Sequence, residues 1–204
     1  MGSGGDADAG NGGIKVMKKY KFYGWQSAEC KPADEVYEKI ENPRKLYDIL
    51  SQIWCADTCA PRMREKWSRE NQTLGQCSIT AFLTQDIFGG KVYGIPREGG
   101  KNFHCYNVVA LPDGGECIFD LTSEQFRDEK LCYENNPEQF REVHWKKEEK
   151  RLRYEYLKAE LLKKLERMYR EPVAKRTNSR GEFVGESRSQ LCGNRWMKCK
   201  CQTF

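Results

Sequence analysis

Three side chains of this 204-residue chain have the types and order of a nucleophilic site. Cys77 follows Gly75-Gln76 and opens the run "CSITAFLTQDIFGG". His104 lies in "FHCYNVVAL", and Asp120 lies in "CIFDLT". Attack by a thiol needs a thiolate, a base beside it and a group that orients the base. With only two histidines in the chain, the choice of base is narrow. Backbone N–H groups at a helix start favour a thiolate. Thr73 and Gln76 stand at capping-box spacing, which puts Cys77 in the first turn of a helix. In this reading Cys77 attacks a carbonyl carbon. His104 takes its proton and later protonates the leaving group, and Asp120 fixes the imidazole tautomer. The N–H of Cys77 is the natural oxyanion donor, with Gln76 or Asn107 as side-chain candidates.

These residues need a helix and a sheet to hold them. Ile79, Phe82, Leu83, Ile87 and Phe88 make the helix after Cys77 apolar on more than one side, as a buried helix is, and Gly89-Gly90 ends it. "KVYGI" reads as a short strand. "FHCYNVVAL", "PDGGE" and "CIFDLT" read as a hairpin. Upstream, Pro43 divides "ADEVYEKIENPRKLYDILSQIWCA" into a short helix and a second over about 44–56. Downstream, residues 124–144 are mixed. Leu152, Tyr156, Leu157, Leu161, Leu165 and Met168 then mark a long, highly charged amphipathic helix. A buried helix, an antiparallel sheet and helices at both ends give an α+β domain.

The hairpin raises one conflict. If Asp113-Gly114 is a two-residue turn, Asp120 falls opposite Asn107 and His104 points to the other face. A bulge or a three-residue turn restores the shared face.

A Cys opening a helix, with His and Asp on consecutive strands, is similar to the arrangement of papain-like and transglutaminase-like folds. "HCYNVVALPDGGECIFDLT" resembles the His-strand, turn and Asp-strand of transglutaminase-like domains. A closer resemblance, to the YunG-like family of bacterial proteins, rests on "ADTC" (56–59), Trp67, "GQCSITAFLTQDIFGG" (75–90), "HCYN" (104–107), "LPDG" (111–114), "DLTSEQF" (120–126) and "RYEYLKAEL" (153–161). It spans roughly residues 44–165. The resemblance implies a papain-like cysteine-enzyme fold with Cys77, His104 and Asp120 at the triad positions, and it supplies no substrate. Two aromatics often follow the histidine in that pattern, and Cys105 replaces the first here. The resemblance also implies a structural role beside the active-site helix for Cys55 and Cys59, with Cys59 or Asp57 at the cleft as the alternative.

Composition narrows the function classes. Residues 1–16, rich in Gly, Asp and Ala, are expected to be disordered, residues 17–170 to form a single domain, and residues 171–204 a basic, Cys-containing tail. No apolar run is long enough to span a bilayer and no signal-peptide core is present, so the expected setting is cytoplasmic, without membrane contact. The net charge of +5 sits mostly in the tail and lacks the dense stripe that nucleic-acid binding needs. Ten scattered cysteines then read as reduced thiols. Cys30, Cys192, Cys199 and Cys201 make an irregularly spaced four-sulfur alternative, whereas the expectation is no metal and no cofactor. His144, beside Trp145, reads as a surface residue. The function expected is a cysteine hydrolase or acyltransferase acting on a peptide-like or small amide, or on a thioester. Its competitors are a non-catalytic binding or regulatory module on the same scaffold, and a redox or metal-handling protein.

Overall fold

Asn42 and Pro43 show how this chain starts a helix. The Asn42 side chain accepts the Lys45 N–H, and Pro43 occupies the first turn, where no N–H is needed. Pro43 therefore opens α1 (Pro43–Ile53) rather than breaking a longer helix, and the segment before it is a 3-10 turn, Glu35–Ile40. The computed structural model describes residues 18–170. The expected disordered start and basic tail lie outside the described residues, as do Cys192, Cys199 and Cys201.

After α1 come α2 (Cys77–Phe88), β1 (Lys91–Arg97), β2 (Asn102–Ala110), β3 (Glu116–Phe119), α3 (Arg141–Trp145) and α4 (Glu148–Arg170). The three strands form one antiparallel sheet in the order β1-β2-β3. The fold is α+β. α2 is buried along nearly its whole length, which accounts for its all-round apolar surface. It packs on the sheet face that presents Asn107, whose Nδ2 donates to the Ala81 carbonyl at 2.9 Å. Leu46, Leu50, Trp54, Phe82, Ile87, Phe119 and Leu161 are among the fully buried side chains of the core.

One compact unit extends through Glu166, and α4 itself runs on to Arg170. On α4 the buried stripe is Arg153, Tyr154, Leu157, Leu161 and Leu165. The expected stripe was rotated at its start, because Leu152 and Tyr156 are 51% and 45% exposed. Apolar spacing could not anticipate that Arg153 would be buried for its hydrogen bonds. Among the described residues no helix is long and apolar enough to cross a membrane.

Candidate active site

The loop ahead of α2 sets the position of Cys77. Gly75 has φ +68, and a Cβ there would stand 2.7 Å from Cys59 Sγ, so a glycine is required on both grounds. The Gly75 carbonyl accepts from Ala60 N–H (3.0 Å) and Arg153 Nη1 (3.4 Å), and its N–H donates to Gln125 Oε1 (3.4 Å). Arg153 Nη1 also donates to the Thr58 carbonyl, tying the 58–60 loop to the helix start. Cys77 is the first residue of α2, whose N-cap, Gln76, makes no capping hydrogen bond. The expected capping box is therefore not formed, and Thr73 Oγ1 is buried without a partner. The thiol is partly exposed and borders a cavity of about 800 Å³ that His104, Phe103, Phe126 and Ser78 also line.

His104 and Asp120 are brought together. His104 Nε2 lies 2.5 Å from Asp120 Oδ2, with the side chains only 2% and 1% exposed. The hairpin supplies the register. Leu111 and Gly115 close a three-residue loop, Pro112–Gly114, through a 2.8 Å hydrogen bond, with Gly114 at φ +86. β2 and β3 then pair Asn107 with Phe119, and the same register sets Asp120 opposite Tyr106, on the face of His104. A two-residue turn, which would have separated the two, is not formed.

Asp120 is saturated with donors. Its Oδ1 accepts from the Thr122 N–H (3.0 Å) and Oγ1 (3.1 Å), and its Oδ2 accepts from Tyr133 OH (3.0 Å) as well as from His104. The Phe126 ring meets the imidazole edge-on, with centroids 4.6 Å apart. With Nε2 engaged by the carboxylate, Nδ1 of His104 is buried and has no hydrogen-bond partner.

The electrostatics couple this imidazole to the thiol. Burial opposes a thiolate at Cys77, but the interaction with the His104 imidazole, helped by the Cys105 backbone, outweighs it and lowers the thiol's pKa. Burial likewise opposes an imidazolium at His104. The charge and hydrogen bond of Asp120, followed by the interaction with Cys77, raise its pKa to about 10.

Other candidates are placed elsewhere. Gln76 is fully buried, its Nε2 donating to the Cys55 carbonyl at 3.1 Å, and Asn107 is committed to Ala81. Neither side chain lines the cavity. Cys59 is buried under Gly75 rather than at the cleft, and Ala60 borders the cavity instead. Cys105 is buried, which raises its thiol pKa well above the usual range. Cys30 is buried and hydrogen-bonds with Cys117. Among the described residues no group of three or more His, Cys, Asp or Glu is placed to hold a metal.

His144 is not a surface residue. It is 8% exposed, its Nε2 lies 3.2 Å from Gln139 Oε1, and its Nδ1 lies 3.2 Å from Lys150 Nζ. Burial, followed by the charges of Lys150 and Lys147, lowers its pKa to about 4, so it is neutral at pH 7. Composition gave no sign of this cluster. Tyr133 was also missed, for no periodic pattern surrounds it, whereas Thr122 and Gln125 stand inside "DLTSEQF".

The family model for the YunG protein matches residues 42–166, more than half of the 204 residues, and includes Cys77, His104 and Asp120. The chain belongs to the YunG family. The uncharacterized protein YunG of Bacillus subtilis (strain 168) is 33% identical over 79 residues, which are 39% of this chain and 58% of that protein. This YunG-family chain thus spans somewhat more than half the length of the relative. No solved structure matches it.

Proposed function

We propose that this YunG-family chain is a cysteine-dependent hydrolase or acyltransferase on a papain-like scaffold, acting on an amide or thioester. One observation carries the reading: Cys77 stands at an uncapped helix start on an open cavity, coupled to a histidine held by a buried carboxylate, with the histidine's second nitrogen unpaired. The lowered thiol and raised imidazole both shift the balance toward a thiolate–imidazolium pair. The thiolate adds to the substrate carbonyl, and the resulting oxyanion is met by the free N–H groups at the start of α2. Collapse breaks the C–N or C–S bond, and the imidazolium gives its proton from Nδ1 to the leaving group. Neutral His104 then takes a proton from water, or from an acceptor amine, which attacks the thioester and releases Cys77. Asp120 keeps Nε2 protonated throughout, which leaves Nδ1 as the working atom.

The test is the pH dependence of iodoacetamide alkylation at Cys77, read by mass spectrometry, in the wild type and in His104→Ala. Wild-type Cys77 is expected to react at pH 6 more than about tenfold faster than in the variant, whose thiol keeps the opposition of burial without the offset from the imidazole. A Cys77 that reacts no faster at pH 6 than the exposed Cys132, and that is indifferent to loss of His104, sinks the proposal. That outcome would favour the non-catalytic binding module instead.

A further inference from the structure

The cavity beside Cys77 is lined by six basic side chains: Arg62, Arg97, Lys101, Lys147, Lys150 and Arg153. The three arginines already have carboxylate partners, Glu98, Glu129 and Glu149 respectively. Among the described residues, none of the three lysines forms an ion pair. Lys150 is the most unusual of them. It is half-buried, and its ammonium contacts the Nδ1 of His144, an uncharged acceptor that Gln139 holds from the other side. A buried histidine and a glutamine thus hold a cation in place without neutralising it.

The position compounds the cost. Lys147 immediately precedes α4 and Lys150 stands in its first turn, where the helix macrodipole disfavours positive charge. Burial lowers the Lys150 pKa, with the charges of Cys105 and Cys77 opposing it in part, and among the described residues no carboxylate is paired with the ammonium. An anion here would gain from both lysines and from the positive end of the α4 macrodipole. The guanidinium forks that suit phosphate are already engaged, whereas two ammonium point charges are enough for a single carboxylate.

We infer that Lys147 and Lys150 bind a carboxylate of the substrate, so that the acyl compound presented to Cys77 is anionic. This inference rests on Cys77 being the nucleophile. It adds that the cavity selects by charge, holding the carboxylate at the α4 start while the scissile carbonyl lies at the α2 start.

Two small alkylating agents separate the two ideas. Iodoacetamide and iodoacetate react with a thiolate in the same way, forming a thioether and releasing iodide, but only iodoacetate carries a carboxylate. The ratio of their rates at one site cancels the thiolate fraction and reads the preference for an anion. In the wild-type full chain at pH 6, the iodoacetate-to-iodoacetamide ratio at Cys77 is expected to exceed that at Cys132 by about tenfold and to fall as salt is added. Lys147→Gln with Lys150→Gln should bring the ratio to that of Cys132, and Lys150→Arg should preserve it. Rapid iodoacetamide reaction with a ratio no higher than at Cys132 overturns the charge selection and leaves the nucleophile standing. Failure of Cys77 to react with either reagent overturns both. The wild-type ratio and its salt dependence decide the matter even if the double variant does not fold.

Discussion

The two ends of α2 carry polar clusters of opposite character. At the C-terminal end, Asp86 accepts from Arg141, from Tyr154 OH and from Lys158 Nζ at 3.1 Å, and Arg141 also donates to the Phe82 carbonyl. A carboxylate in the last turn of a helix opposes the macrodipole. Although burial works against the charge, the hydrogen bonds from Arg141, Tyr154 and Lys158 outweigh it and lower the Asp86 pKa. Every partner there is spoken for. At the N-terminal end, Asp120 is equally well satisfied, but the imidazole it holds has one nitrogen unpaired, and a partly exposed thiol borders the same cavity. A closed polar network braces α2 against α3 and α4. A network left open toward a cavity has somewhere to put a proton.

The largest expected effect tests the closed end. Asp86→Ala leaves Arg141 and Lys158 facing one another without their shared anion and should lower stability by about 3 kcal/mol, read by urea unfolding. If the two ends are independent, Cys77 alkylation at pH 6 stays within about twofold of the wild type while the fold persists. A parallel collapse of reactivity would show that the brace is part of the site.

The open end should declare itself through pH. The His104 pKa is raised, so its pairing contributes stability that is fully present below the unfolded value near 6.5 and is lost as pH rises through about 10. The Cys77 pKa is lowered, so its contribution is present above the unfolded value near 8.5 and is lost as pH falls below it. Above about 8.5 the Cys77 contribution is complete, so only the His104 decline remains, and stability falls from about 8.5 to 10. Removing the carboxylate's charge with Asp120→Asn should shift the alkaline edge down toward neutrality. The wild type should therefore lose about 2 kcal/mol more than the variant between pH 8.5 and 10. Superimposable stability curves above pH 8.5 would mean that Asp120 does not hold an imidazolium.

Much of this was legible in the residues. α2 announced itself because a buried helix must be apolar all round, and β2 and β3 did so because alternation and a Pro-Asp-Gly turn are local signals. The joining of His104 with Asp120 was not settled by spacing, for one residue of turn length inverts a strand's faces. Only the Leu111–Gly115 closure decides it. Lys150 and His144 were hidden for a different reason. A lysine at a helix start reads as solvated surface unless its burial is known, and burial is a property of what packs above it. Arg153 was hidden in the same way, since its value lies in the Thr58 and Gly75 carbonyls, remote in sequence, that it reaches.

The smallest effect is the sharpest comparison. Each cluster contains one tyrosine donating to its aspartate, Tyr154 to Asp86 and Tyr133 to Asp120. Tyr133→Phe keeps the ring stacked on Tyr23, at a centroid distance of 3.8 Å, and removes one of the four hydrogen bonds to the Asp120 carboxylate. Tyr154→Phe keeps its ring beside Trp145 and removes one of three to Asp86. Each should lower stability by about 1 kcal/mol. Their effects on chemistry should part. Losing the Tyr133 hydroxyl strips Asp120 of a neutral donor and leaves its charge more fully to His104, so the imidazolium strengthens and the alkylation profile of Cys77 moves by a few tenths of a pH unit. Losing the Tyr154 hydroxyl alters a carboxylate at the other end of α2 and should leave that profile where it was. Equal shifts from the two variants, measured by the same Cys77 alkylation series, would mean that the helix couples its ends and that the division between brace and site is wrong.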